Sequence, residues 1–206
     1  MRREIVRKYL QKYSLGIVES ENSLQLYDFF FKNMGFKESI ANIIEKKTKE
    51  KEKVLVLDIG CGNAGFLLDL KKIFKEKIET IGIDLLVPQN KPDKIIAGDA
   101  LDVDFPKNVD FVFSFRALHE IGEPEKIVKK TYESLAEQGK AFLSFRTSDL
   151  YSDKQGIAEI QEKEIKELQE MVSKGFLENF KVSGFEVVLG KGKEEILAGV
   201  NIFLEK

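Results

Sequence analysis

Apolar residues recur along this chain in two rhythms, and the change falls at Val54. Ile5, Val6, Tyr9, Leu10 and Tyr13 repeat at helical spacing. A second helical stripe runs through LQLYDFFFKNM, with Ser20 or Ser23 placed to cap it and Gly35 to end it. A third, SIANIIEKKTKEKEK, dissolves into charge. From Val54 onward strands and helices alternate. The run KVLVLDIG predicts a strand buried on both faces, and AGFLLDLKKIFKE a helix behind it. Strands follow at IETIGID, KIIAGD and VDFVFSF, then a helix over 124–137 with proline in its first turn, then the strand GKAFLSFR. A long amphipathic helix is expected within 157–172 and a shorter one at LENFKVSG. The ending, FEVVLGKGKEEILAGVNIFLEK, reads as two strands joined by a Gly- and Lys-rich turn. Strands that close must pair antiparallel. The expected architecture is α/β, with an N-terminal helical lid or cap over residues 1–52. Residues 53–206 would form an open, mostly parallel sheet with helices on both faces and an antiparallel hairpin at the end.

Composition narrows the class. With 206 residues and 43% hydrophobic content the chain can bury a real core. Lys plus Arg total 33 and Asp plus Glu 35, so there is no bulk charge to draw nucleic acid or an anionic membrane. One cysteine, Cys61, excludes an intrachain disulfide framework and fits a reducing compartment. No apolar run reaches the length of a membrane span, and MRREIVRKYL lacks the apolar centre of a signal peptide. A cytoplasmic location without membrane contact is expected. No spacing suggests a zinc site, and no metal is expected.

The turn between the first strand and its helix, GCGNAG, holds three glycines in six residues. Gly60 and Gly62 let the backbone turn sharply and approach a ligand without a Cβ in the way. In open α/β sheets ligands sit beyond the carboxyl ends of the strands, near the point where strand order reverses. Asp58 ends the first strand and Asp84 the second, where an acid can accept hydrogen bonds from ribose hydroxyls; Asp99 follows the third. A single aspartate there is usually a turn former. Three at successive strand ends, beside those glycines, point to a nucleoside-type ligand.

VLDIGCGNAG, IGID, AGDALDVDF, and GFEVV with a final strand together resemble the class I S-adenosylmethionine-dependent methyltransferases, over roughly 53–206. The resemblance implies strand order 3-2-1-4-5-7-6 with the last strand antiparallel, and S-adenosylmethionine as cofactor. It implies that Gly60, Cys61 and Gly62 wall the methionine part, and that Asp58 organises the turn and the cofactor's amino group. Asp84, with Leu85 beside it, would accept the ribose hydroxyls. Asp99 would bond the adenine amino group with Ala100 alongside, and Ser114 would complete the site. Two departures stand out. Ala64 replaces the third glycine of the family's D-x-G-x-G-x-G, and the stretch from Asp84 to Lys94 is too short for the usual helix, leaving part of one sheet face bare or covered by the N-terminal helices.

Acceptor chemistry belongs at the ends of the fourth and fifth strands. His119, the single histidine, is a candidate general base because an unperturbed imidazole changes charge near neutrality; the alternative is a packing or capping role. Both strands end in Ser-Phe-Arg, which would bring Arg116 and Arg146 to the same edge, where two guanidinium groups favour an anionic acceptor. The alternative is that each arginine pairs with a local acid. Tyr13, Tyr27 and Phe31 of the N-terminal helices are core residues by spacing and candidates for acceptor contact in a lid. SFRA stands where amino-methylating enzymes of adenine or glutamine carry N-P-P-Y or D-P-P-Y. The leading expectation is a methyltransferase acting on a small molecule, anionic if the arginines reach it, as monomer or homodimer. RNA or protein as substrate, a non-catalytic cofactor-binding partner protein and a nicotinamide-dependent oxidoreductase are the competing readings.

Overall fold

The computed structural model describes residues 23–115, 117–121, 123–146, 166, 179–189 and 195–206. Helix α1 spans Leu24–Asn33 and is capped by the Ser23 hydroxyl, which accepts from the Leu26 amide. Gly35, at φ +89°, follows its end. Helix α2, Ile40–Glu50, is capped in the same way by Ser39. Strand β1, Val54–Ile59, leads into helix α3, Gly65–Phe74, and a short 3-10 turn precedes β2, Ile78–Asp84. Strands β3, Lys94–Ala97, and β4, Val109–Phe115, come next. Helices α4, Leu118–Ile121, and α5, Pro124–Ser134, then lead to β5, Leu135–Arg146. Strands β6, Asn179–Leu189, and β7, Glu195–Glu205, complete the described elements.

The seven strands form one sheet in the order β3-β2-β1-β4-β5-β7-β6. β1 to β5 are parallel, and β7 lies antiparallel to both β5 and β6, as expected. Alternation along the strands sends Val54, Val56, Phe113 and Phe142 to one face, packed with Tyr27, Phe31, Ile40 and Ile44 of α1 and α2 and Phe66 and Leu70 of α3. Leu57, Ile59, Val112 and Leu143 go to the other, against Leu118, Ile127 and Val128 of α4 and α5. In its described part, the segment 1–52 thus shares the core of one sheet face. Phe31 lies against Phe36 and Phe142 there, as a packing residue. No helix among the described residues is long and apolar enough to cross a membrane.

Two boundaries differ from the sequence reading. LENFKVSG was expected as a helix, but from Asn179 the chain is β6, paired residue for residue with β7 as far as Leu189 opposite Glu195. An eleven-residue partner strand outweighs local propensity. The helix expected over 124–137 ends at Ser134, and β5 begins at Leu135 through an irregular step opposite Val109 and Phe111. Gln138 there has φ +62° and Gly139 leaves no room for a Cβ, which would meet the Val109 carbonyl at 2.7 Å. The stretch between β2 and β3 carries no helix, and β3 is half exposed. A groove lined by Leu68, Lys71, Lys72 and residues Gln89 to Lys91 lies between α3 and that loop. The long helix expected within 157–172 falls outside the described residues, apart from Lys166.

Candidate functional site

At the carboxyl end of β1 the chain reverses over Gly60 and Gly62, at φ +74° and +54°, and Ala64, at φ +59°. Ala64 therefore holds the left-handed conformation that a third glycine would take, at a cost of about 1–2 kcal/mol. The turn is stitched to β2. The Gly60 and Cys61 amides donate to the Ile83 carbonyl at 2.7 and 3.2 Å, and the Gly62 amide donates to Asp84 Oδ2 at 2.8 Å. Asp84 Oδ1 accepts from the Leu86 amide at 3.1 Å, in the loop where Leu85 is half-buried. β3 joins the same unit, because the Gly98 amide donates to the Asp84 carbonyl at 2.8 Å. Gly60 has a different partner than expected: a Cβ on it would meet Ala117 Cβ at 2.2 Å, so its missing side chain seats the loop after β4. Cys61 is buried with its sulfur toward Gly82, where a Cβ would lie 2.5 Å from it.

Asp58 is the most unusual group here. It is fully buried, and the Tyr27 hydroxyl from α1 donates to both of its oxygens at 3.0 Å. Tyr27 is itself buried, stacked on Phe66 with ring centres 4.0 Å apart and edge-on to Phe115. Burial pushes the Asp58 carboxyl up to about 8; the Tyr27 bond works against this and the nearby Asp84 charge adds to it. Asp84 is also raised by burial, opposed by the backbone amides it accepts from. The Cys61 thiol is held neutral by burial and by the two neighbouring acids. No lysine or arginine among the described residues pairs with either carboxyl.

Asp99 follows β3 and forms a tight turn, its Oδ1 accepting from the Leu101 amide at 3.0 Å and its carbonyl from the Asp102 and Val103 amides. Ala100 beside it is buried. Lys130 of α5, which sequence reasoning passed over, holds this turn: its Nζ donates to the carbonyls of Ala100, Leu101 and Val103 at 2.7, 3.2 and 2.6 Å and lies 4.6 Å from the Phe105 ring centre. Ser114 is buried, and its hydroxyl is spent on the Ile59 carbonyl at 2.9 Å, tying β4 to β1.

A family described as "Methyltransferase domain" matches residues 34–189. The chain belongs to this methyltransferase family. Its sheet order, with the reversed seventh strand, is the class I S-adenosylmethionine-dependent fold. Solved structures agree. The 1,6-didemethyltoxoflavin-N1-methyltransferase of Burkholderia thailandensis aligns at TM-score 0.56 and 15% identity, over 99% of this chain and 88% of that one. Phosphoethanolamine N-methyltransferase 2 of Haemonchus contortus aligns at 0.53 and 15%, over 80% of this chain and 51% of that one, so the chain spans about half its length. The YcgJ protein of Bacillus subtilis aligns at 0.54 and 14%, over 81% and 97%. No curated protein matches by sequence.

The cofactor that goes with this fold is S-adenosylmethionine, and the residues present fit it. Two buried carboxyls that pair with no cation among the described residues suit a guest with positive charge and hydroxyls, and this cofactor carries an amino group and a ribose. Asp84 has two of its acceptor positions filled by backbone amides and retains capacity for hydroxyl donors. The methyltransferase's acceptor side is placed less completely. His119 lies in α4 and Arg146 is the last residue of β5; Arg116, like Tyr13, lies outside the described residues. The two Ser-Phe-Arg segments do not match in phase. Phe115 pairs with Ser144 and Ser114 with Leu143, so Ser114 and Ser144 fall on opposite faces of the sheet. A one-residue offset in register reverses every side chain, and that is what the repeat conceals.

Proposed function

We propose that this protein binds S-adenosylmethionine across the ends of β1, β2 and β3 and transfers its methyl group to a small molecule. The observation that carries the reading is the pair of buried acids, Asp58 and Asp84, bracketing a turn with three consecutive alternate residues at positive φ. Bound there, the cofactor supplies a methyl carbon already activated by positive sulfur. The chain's own residues therefore position and desolvate more than they activate. Asp84 takes the ribose hydroxyls, Asp58 the amino group, and the Asp99–Ala100 turn the adenine edge. The acceptor enters over the adjacent ends of β4 and β5; on the sequence, His119 is the candidate to take a proton from it, and Arg116 and Arg146 are candidates, each on its own, to hold an anionic group. The two enzymes named above for small molecules, crystallised with 1,6-didemethyltoxoflavin and with phosphomonomethylethanolamine, favour a small acceptor over RNA or protein.

Calorimetric titration with S-adenosylmethionine and S-adenosylhomocysteine, with NAD as control, tests the cofactor half. Asp84→Ala should weaken binding by roughly 1–3 kcal/mol, because the ribose hydroxyls lose their partner. Binding of NAD alone, or no binding, would overturn the reading. Methyl transfer to anionic metabolites, neutral amines and RNA, compared at equal concentration, then tests the acceptor class. Turnover on RNA alone would refute the small-molecule assignment.

A further inference from the structure

Three elements bring titratable groups to Asp58. From α1 comes the Tyr27 hydroxyl; from the turn, the Cys61 thiol; from β2, the Asp84 carboxyl. The packed neighbours on α3 and β4 are uncharged rings: Phe66 and Phe115 flank Tyr27, and Phe113 lies opposite Asp58 in register. Among the described residues, then, two acids, a phenol and a thiol share one buried space without a cation. The two acids are not equivalent. Asp84 accepts backbone amides at 2.8 and 3.1 Å, which favour its ionised form, whereas Asp58 has the Tyr27 hydroxyl alone. If one of the pair keeps a proton, it is Asp58.

We propose that Tyr27 is a positioning residue of the cofactor site that holds Asp58 for the cofactor's amino group, and that Asp58 releases a proton to solvent when this group arrives. The inference rests on the cofactor reading above. The step balances: the carboxyl O–H bond breaks, the proton leaves to buffer, and the resulting carboxylate pairs with the ammonium. The Tyr27 phenol, itself raised well above its usual range by burial and by Asp58, stays protonated and donates to the carboxyl throughout. Because Tyr27 sits on α1, the helix ahead of the sheet becomes a working wall of the cofactor site. Its stack on Phe66, in the first turn of α3, fixes the phenol to the helix that follows the glycine turn.

The test is calorimetry with S-adenosylhomocysteine in two buffers of different ionisation enthalpy, which counts protons exchanged on binding. At about pH 6.5 the ligand's amino group, with a pKa of about 7.7–8.0, is already charged, so its own titration contributes little. Wild type should release close to one proton and Asp58→Asn none. Tyr27→Phe keeps the ring stack but removes a bond that favours the carboxylate. It should bind several-fold more weakly near pH 8, and the pH at which proton release fades should move upward. Binding by wild type without proton release would overturn the inference and leave the cofactor reading standing. A Tyr27→Phe protein with the same affinity and release profile as wild type would overturn the role of Tyr27. Absence of any binding to wild type would overturn both.

Discussion

A methyl group added at Gly60 is the sharpest structural test of how the glycine turn is seated. It would lie 2.2 Å from Ala117 Cβ and 3.6 Å from its Cα, where carbon atoms pack at about 3.5–4.0 Å. The overlap with Cβ exceeds about 1 Å, and the partner sits on backbone, so relief requires moving the loop after β4. Overpacking of this kind costs about 1–3 kcal/mol. The φ of +74° adds a second penalty of about 1–2 kcal/mol for any L side chain. Gly60→Ala should therefore destabilise by about 2–5 kcal/mol in urea unfolding followed by circular dichroism. Ala117→Gly in the same molecule removes the overlap and leaves the backbone term, so the double variant should recover about 1–3 kcal/mol relative to the sum of the singles. Additive singles, within about 0.5 kcal/mol, would refute the contact. The same double variant separates two reasons for a glycine here. If Gly60 serves the Ala117 contact, the double variant binds S-adenosylhomocysteine; if it serves ligand approach, the double variant folds and does not bind.

Two further outcomes follow from the same region. Asp58 titrates near 8 in the fold against 3.8 as its ordinary value, so the fold prefers the protonated acid: its contribution is complete below about pH 4 and is lost as pH rises through about 8. Asparagine keeps the shape and an oxygen for Tyr27 but never ionises, so without cofactor Asp58→Asn should gain on wild type by up to about 1.4 kcal/mol per pH unit across that window; urea midpoints whose gap stays constant between about pH 5 and 7 would contradict this. Lys130→Met removes donors to three carbonyls and should cost about 2–3 kcal/mol. It should also weaken S-adenosylhomocysteine binding several-fold by loosening the Asp99 turn; unchanged affinity would detach Lys130 from the site.

The sheet was legible because its strands are short apolar runs punctuated by turn residues, and because the closing hairpin admits one pairing sense. Register was not legible. Nothing local in Ser114-Phe115 or Ser144-Phe145 reports that β5 enters the sheet through an irregular step opposite Val109, which displaces the two segments by one residue. The start of β6 failed for a related reason. Asn179 to Gly184 carry mixed helical and strand character, and the deciding partner, β7, lies later in the chain.

The site divides along the same line between local and long-range information. Asp58, Asp84 and Asp99 were visible because each stands at or within two residues of the end of its own strand, and a parallel sheet brings such ends together without further instruction. Tyr27 was read as core or as an acceptor contact, and it is neither alone. The available signal was chemical: a tyrosine on the apolar stripe of a helix must bury a hydroxyl, and a buried hydroxyl needs a partner. An acid at the end of an otherwise apolar strand needs a donor for the same reason. Reading the two deficits together would have paired Tyr27 with Asp58 across 31 residues. Lys130 fits the same rule, as a cation on a helix packed against a turn of unsatisfied carbonyls. Buried polar groups that lack a local partner are thus the part of a sequence from which long-range contacts around a site can be inferred, and apolar periodicity alone cannot supply them.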